Sequence, residues 1–275
     1  MKTKVSVLIV MLFAMLLGGC VNPVTGNREL MLNSVQNDIS TGKQYAPEVE
    51  KQLYGKIEDV NIQNYINSVG QKIARVSHMP DLNFTYTAVN HDSVNAVALP
   101  GGYIFITRGL LEKLNSEAQL AGILAHETVH VTARHSESAA SQQAVLNIAV
   151  SYAMKNNESE TLETLTDVAQ GLIGLKYSRT HELEADQYGM DYMVKAGYDP
   201  KGMIETMQIL EAESKNRTIE FLSTHPNPGN REDLLTRYWN LKGYNYSTDG
   251  LRVGESDYRN RVLIPLKSVP KVAEP

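Results

Sequence analysis

The stretch Ala125–Val131 constrains this chain more than any other. It contains the pattern H-E-x-x-H, with His126, Glu127 and His130 at the fixed positions. Residues i and i+4 of an α-helix share a face, so both imidazoles can bind one ion. Glu127 lies to the side, within reach of a water at that ion, so the pattern predicts a zinc-binding helix with its own general base. The alternative is a polar helix that carries two histidines by chance, so the rest of the chain must supply a further ligand.

The residues that follow this pattern do not supply that ligand. The metzincin pattern H-E-x-x-H-x-x-G-x-x-H requires glycine and histidine where this chain has Ala133 and Ser136. His135 follows His130 by five residues, which is about 140° away from its face on a continuous helix. His181 adjoins the acidic residue Glu182 but points elsewhere. We therefore expect neither His135 nor His181 to be a ligand, and we expect the third ligand on a separate helix.

An acidic segment further along offers that ligand. Residues 177–189 read YSRTHELEADQYG, in which Glu182 and Asp186 are four residues apart and share one face of a helix predicted over 179–196. We expect Glu182 to bind the metal and Asp186 to hold a ligating histidine through its second nitrogen. Glu184 is the rival ligand, but it lies about 200° round the helix from Glu182. A solvated acidic helix is the alternative for the whole segment.

The order of the elements predicts an α+β fold that is predominantly helical. Three short alternating runs at 83–89, 94–98 and 103–107 predict a small antiparallel sheet immediately before the H-E-x-x-H helix. Amphipathic helical patterns occupy most of the remaining chain. Gly122 and Gly189 lack side chains, so we expect them to let neighbouring helices approach closely.

The single cysteine, Cys20, indicates how the chain begins. Two early lysines precede the apolar run Val5–Leu17, which at 13 residues is shorter than the roughly 20 of a membrane span. Leu17-Gly18-Gly19-Cys20 then resembles a bacterial lipobox, which implies cleavage before Cys20 and a lipid on its thiol. A plain signal peptide or a short anchor is the alternative. Val21 stands where an aspartate would resemble an inner-membrane retention signal, which favours an outer-membrane lipoprotein that faces the periplasm.

Composition adds a limit on partners. The formal net charge is −5, so the chain has no basic surface for nucleic acid, and none is expected as a partner. The predicted parts are a lipoprotein signal peptide at 1–19, a lipidated tether at 20–42, a zinc metallopeptidase domain at 43–243, and an irregular C-terminal tail at 244–275.

Five segments in matching order carry a family resemblance: NPVTGNRELML after the cysteine, HETVH, ELEAD, AGYDP and THPNPGNR. The chain resembles the gluzincin-type zinc metallopeptidases related to HtpX and the CAAX prenyl endopeptidase, closest to periplasmic lipoprotein members of the BepA and LoiP type. The resemblance covers most of residues 21–242. It implies a zincin-like fold and one Zn²⁺ per chain, with His126, His130 and Glu182 as ligands and Glu127 as the base.

The same resemblance implies further site residues. Asp186 would orient a ligand, and His225 and Arg231 would belong to a loop over the site, where His225 takes the open zinc position or assists the reaction. Read locally, His225 is a histidine in a rigid proline turn. The resemblance also implies an edge strand that binds an extended peptide substrate through its main chain, although an ordinary strand is the alternative. That strand consists of Asn95, Ala96, Val97 and Ala98.

These features predict a zinc-dependent endopeptidase. Export and lipidation make periplasmic or outer-membrane proteins the expected substrates, and we expect lipid on Cys20 to hold the protein at the membrane. The family resemblance implies that these substrates are unfolded or misassembled, with the envelope assembly machinery as a further partner. A chaperone or assembly factor with a gated zinc site that rarely cuts is the alternative. A purely structural zinc site is disfavoured, because such a site has no need of a base like Glu127.

Overall fold

The structure is a computed structural model, and it describes residues 20–154, 164–215, 219–226, 231–243 and 250–272. The predicted signal peptide at 1–19 lies outside the described residues.

Helices dominate the described part of the chain, which confirms the predicted fold class. None of the described helices is both long and apolar enough to cross a membrane. In chain order the helices are α1 (Val35–Gln52), α2 (Val60–Arg75), α3 (Arg108–Leu111), α4 (Glu117–Thr132), α5 (His135–Met154), α6 (Leu165–Ile173), α7 (Arg179–Lys195), α8 (Lys201–Ser214), α9 (Glu220–Thr224), α10 (Arg231–Leu241), α11 (Glu255–Tyr258), a π-helical turn (Arg259–Leu263) and α12 (Ile264–Leu266).

Two small sheets accompany the helices. Strands β1 (Cys20–Val21) and β2 (Arg28–Glu29) pair antiparallel, and β3 (Thr85–Val89), β4 (Ala96–Leu99) and β5 (Tyr103–Thr107) form a sheet in the order β3-β5-β4. The prediction of an antiparallel sheet is correct for β4 and β5 and wrong for β3 and β5, which run parallel. Alternating side chains reveal a strand but not its direction. As a result β4, the middle strand in sequence, lies at an edge of the sheet.

Helix α4 lies at the centre of the fold, and every residue from Glu117 to Thr132 is buried. Its sequence is apolar around most of its circumference, as expected of a helix enclosed on all sides. A Cβ on Gly122 would lie 3.0 Å from the Cα of Met203, and one on Gly189 would lie 2.7 Å from its Cε. The predicted close approach at both glycines is confirmed, and it lets α7 and α8 pack directly against α4.

The N-terminal segment is docked on the domain, so the predicted tether at 20–42 is wrong in extent. Helix α1 begins at Val35, well before the predicted start of the domain. Arg134, which has a left-handed backbone (φ 58°), donates a 2.6 Å hydrogen bond to Asp38 and a 2.7 Å hydrogen bond to the carbonyl of Asn33. A turn-rich composition could not reveal these partners, because they lie about a hundred residues away along the chain.

Residues 250–272 are ordered and packed, so the predicted irregular tail at 244–275 is wrong for this part. Tyr258, Val262 and Leu266 are buried in the main core. Their spacing of four residues is a helical stripe, but the polar neighbours and three nearby prolines obscured it in the sequence. We call residues 250–272 the C-terminal segment.

The C-terminal segment closes the N-terminal end of α4. The carbonyl of Val253 accepts a hydrogen bond from an amide in the first turn. Arg252 donates a 2.7 Å hydrogen bond to the buried carboxylate of Glu117, which also accepts bonds from Tyr65 at 2.6 Å and Tyr198 at 2.7 Å. Burial alone would raise the pKa of Glu117, but these hydrogen bonds lower it to about 2.

Candidate metal centre

Four potential ligands converge below the surface. His126 and His130 come from α4, Glu182 from α7, and His225 directly follows α9. Each side chain is buried and offers one ligand atom, and these atoms lie within 4.8 Å of one another. The structure therefore brings together the three ligands predicted from the sequence and adds His225 to them.

His225 lies inside this group, whereas the sequence left its position open. Its Nδ1 is 3.0 Å from Oε1 of Glu182 and 3.2 Å from Nε2 of His126. Its Nε2 lies 3.6 Å from Oε1 of Glu127. The His225 ring thus lies between Glu182 and His126 on one side and the predicted base on the other.

The charges of the cluster fit a divalent cation. The carboxylates of Glu127, Glu182 and Asp186 are fully buried, and among the described residues one guanidinium, that of Arg231, faces them. When the histidines are neutral, as metal binding requires, three carboxylates and one guanidinium leave two negative charges uncompensated, which is unfavourable in a low-dielectric interior. Both oxygens of Glu127 and Oε2 of Glu182 also lack a hydrogen-bond partner within the described part of the chain. Imidazole and carboxylate donors suit Zn²⁺.

The pKa shifts in the cluster reflect both the nearby carboxylates and burial. Burial alone would lower the pKa of His126, but hydrogen bonds with Asp186 and Glu182 raise it to about 9. Burial raises the pKa of Glu127. Burial also lowers the pKa of His130 well below its usual value, which keeps the ring neutral and one nitrogen lone pair available to a metal.

Asp186 occupies the position predicted for it. Its Oδ1 lies 3.0 Å from Nδ1 of His126, opposite the nitrogen that faces the ligand group. The carboxylate is also held by Arg231, whose Nη2 donates at 2.6 Å and whose Nε makes a second, short hydrogen bond. Arg231 Nη1 has no partner among the residues described. Arg231 therefore lies within the cluster as a support for Asp186, and its predicted catalytic role stays a prediction.

The predicted substrate strand lies next to the ligands. The amide of Thr107 donates to the carbonyl of Asn95, so by antiparallel alternation the main chain of Ala96 and of Ala98 faces the outer edge. Oδ1 of Asn95 accepts from the amide of Ala96 at 2.9 Å. A small cavity separates this edge from the chain that follows α6, and His225 lines it. The role of Asn95–Ala98 in substrate binding stays a prediction.

His135 is the contact that sequence reasoning missed. It is not in the ligand group, as predicted, but its Nδ1 lies 2.9 Å from Nδ1 of His130. Its Nε2 lies 3.2 Å from Oε2 of Glu184, the rejected rival ligand, and its ring stacks on that of His181 at 4.3 Å. Helix α4 ends at Thr132, so the angle expected on a continuous helix does not apply. Burial lowers the pKa of His135 to about 4, so the ring is neutral.

The chain is similar in sequence to known metallopeptidases. Residues 61–238, well over half of the chain, match the sequence model of Peptidase family M48. The chain is 30% identical over 214 residues to the Beta-barrel assembly-enhancing protease of Escherichia coli K12, covering 72% of this chain and 43% of that protein. It is 33% identical over 207 residues to the Mitochondrial metalloendopeptidase OMA1 of Schizosaccharomyces pombe, covering 71% and 60%. It is 30% identical over 165 residues to Metalloprotease YcaL of Escherichia coli K12, covering 57% and 65%. The chain thus spans less than half the length of the first of these relatives.

Proposed function

The chain belongs to peptidase family M48, and from that premise we propose that it is a zinc-dependent endopeptidase. Family membership confirms the resemblance drawn from the sequence motifs, together with the predicted metalloprotease class and zinc cofactor. The observation that carries the proposal is the buried ligand group of His126, His130 and Glu182 with the carboxylate of Glu127 beside it.

The reaction is divided among the residues of this chain. A bound zinc ion supplies a Lewis acid, which polarises a carbonyl and lowers the pKa of water toward about 7. Glu127 takes a proton from the attacking water and delivers it to the leaving amine. Burial raises the pKa of Glu127, which brings this carboxylate closer to the pH at which it must exchange protons. Asp186 keeps His126 in the tautomer that leaves Nε2 free for the metal. We propose that Arg231, and His225 once it has left the ligand group, stabilise the tetrahedral oxyanion.

The described conformation is a closed one. His225 stands among the ligands, and the strand residues Ala96 and Ala98 are buried beside it. Catalysis requires His225 to withdraw and a peptide to add along the outer edge of β4 through main-chain hydrogen bonds. This arrangement also favours a second candidate function, a chaperone or assembly factor in which the gated zinc site rarely cuts.

The proposed substrates are unfolded or misassembled periplasmic or outer-membrane proteins. The name of one relative, Beta-barrel assembly-enhancing protease, supports an envelope substrate and contact with the assembly machinery. The lipobox-like residues before Cys20 support a lipid anchor that holds the protein on the outer membrane, facing the periplasm.

Cleavage of a denatured outer-membrane protein tests the proposal. Wild type, Glu127→Gln and His225→Ala are compared, each with and without a chelator, and bound zinc is measured in parallel. We expect Glu127→Gln to retain zinc and to lose cleavage by about 10²- to 10⁴-fold, the usual value of a general acid–base group. We expect His225→Ala to admit water and substrate more readily.

Undiminished cleavage by the Glu127→Gln variant would refute the proposed peptidase. Full complementation of a deletion strain by the same variant would favour the chaperone instead, because that function needs the ligands but not the base.

A further inference from the structure

We propose that His135 and Glu184 form a hydrogen-bond relay that positions the metal ligand His130. Nδ1 of His130 lies 2.9 Å from Nδ1 of His135, and Nε2 of His135 lies 3.2 Å from Oε2 of Glu184. His130 and His135 are buried, so water does not compete for the bond between them. The inference rests on the metal-binding part of the proposed function.

The proton positions along this relay follow from the geometry. The Nε2 atom of His130 faces the ligand group, 3.4 Å from Oε1 of Glu182, and it needs its lone pair to bind a metal. The proton of a neutral His130 must therefore be on Nδ1, which donates to Nδ1 of His135. The proton of His135 is then on Nε2, where the carboxylate of Glu184 accepts it. Each nitrogen in the relay thus has one defined role.

The relay supplies His130 with a hydrogen-bond acceptor for its second N–H, as Asp186 does for His126. A ligating histidine normally donates its second N–H to a carboxylate, a carbonyl or water, which selects the tautomer and raises ligand basicity. For His126 the acceptor is Asp186 itself, at 3.0 Å. For His130 the carboxylate is one residue further away, and His135 connects the two.

Ring packing alone does not account for His135. Tyr177 stacks on His130 at 3.9 Å and limits the tilt of its ring, but stacking cannot select which nitrogen carries the proton. His181 stacks on the face of His135, with an angle of 9° between the planes. This stack leaves the edge of the His135 ring, with both nitrogens, directed at His130 and Glu184.

Two substitutions of His135 separate hydrogen bonding from packing. His135→Phe keeps an aromatic ring against His181 but removes both nitrogens, whereas His135→Asn sacrifices the ring and places an acceptor oxygen near the position of Nδ1. The readouts are zinc affinity by competition with a chromophoric chelator and the absorption spectrum of the Co²⁺-substituted protein. We expect His135→Phe to weaken zinc binding by about 10- to 100-fold and to change the Co²⁺ spectrum. We expect His135→Asn to stay close to wild type in both.

Several outcomes would overturn the relay. Wild-type zinc affinity in His135→Phe would do so, and so would a loss in His135→Asn as large as that in His135→Phe. If His135→Phe does not fold, Glu184→Ala and Glu184→Gln decide, because Gln keeps an acceptor oxygen and Ala does not. Equal zinc affinities in these two variants would then refute the relay. Failure of the wild-type protein to bind zinc would instead overturn the proposed function.

Discussion

Replacement of Arg231 by methionine should destabilise the metal-free protein severely. Asp186 is fully buried and Arg231 is 2% exposed, and the guanidinium makes two hydrogen bonds to the carboxylate. Methionine fills a similar volume, so the main loss is the charge that compensates Asp186. Breaking a buried ion pair from one side costs about 3–5 kcal/mol, because the remaining charge stays buried. For a chain of this size that corresponds to a fall in the thermal midpoint of about 6–20 °C.

Thermal unfolding in the presence of a chelator measures this effect. The double variant Asp186→Asn, Arg231→Met should recover much of the loss, because it removes the uncompensated carboxylate as well. Lys51→Ala is the matched control, since its pair with Glu48 spans 3.6 Å and the lysine is 79% exposed. We expect that control to cost less than about 1 kcal/mol. The reasoning fails if Arg231→Met unfolds within about 1 kcal/mol of wild type, or if the double variant is no more stable than the single one.

Three further predictions concern stability and substrate binding. The depressed pKa of Glu117, about 2, contributes about 3 kcal/mol to the free energy of unfolding. This contribution is present above the unfolded-state pKa near 4.5 and is lost as the pH falls toward 2. Urea unfolding measured against pH should show this step in wild type and not in Glu117→Gln. Leu266→Ala should lower the free energy of unfolding by about 2–5 kcal/mol in the same assay, because Leu266 is 1% exposed. Ile264→Ala is the control and should cost little, because Ile264 is 50% exposed in the same helix. Equal effects of the two substitutions would contradict the packing of the C-terminal segment. Ala98→Pro removes an amide that faces the outer edge of β4, so it should lower kcat/KM for a peptide by about tenfold and leave the zinc content unchanged. An unaltered kcat/KM would exclude that edge as the substrate site.

The candidate metal ligands on helices are predictable from the sequence because local geometry determines their arrangement. The four-residue spacing between His126 and His130 places both rings on one helical face whatever surrounds the helix. The same spacing pairs Glu182 with Asp186, and the structure directs both toward the histidines of α4. The three strands near this helix are likewise visible as alternating runs, although their order and directions depend on how the chain crosses the sheet.

The relay through His135 could not be predicted, because it depends on partners far apart in the sequence. His135 reaches His130 because Arg134 adopts a left-handed backbone, which is uncommon for a residue other than glycine. Hydrogen bonds to Asp38 and to the carbonyl of Asn33 hold the Arg134 side chain in place. A pattern search that extends α4 as a regular helix therefore places His135 on the wrong face.

The position of the C-terminal segment has a consequence for the time at which the protein becomes active. The ribosome makes the histidine-bearing helix long before it makes Arg252 and Val253, which hold the first turn of that helix in place. The nascent chain therefore carries the candidate ligands without the contacts that fix them, and we expect metal capture to wait until residues 250–253 have been made and have docked on α4. Stalled chains that end before Gly250 should stay sensitive to added chymotrypsin at Leu120 and Leu124 of α4. A stalled chain that already resists chymotrypsin there would show that the helix is held without Arg252 and Val253.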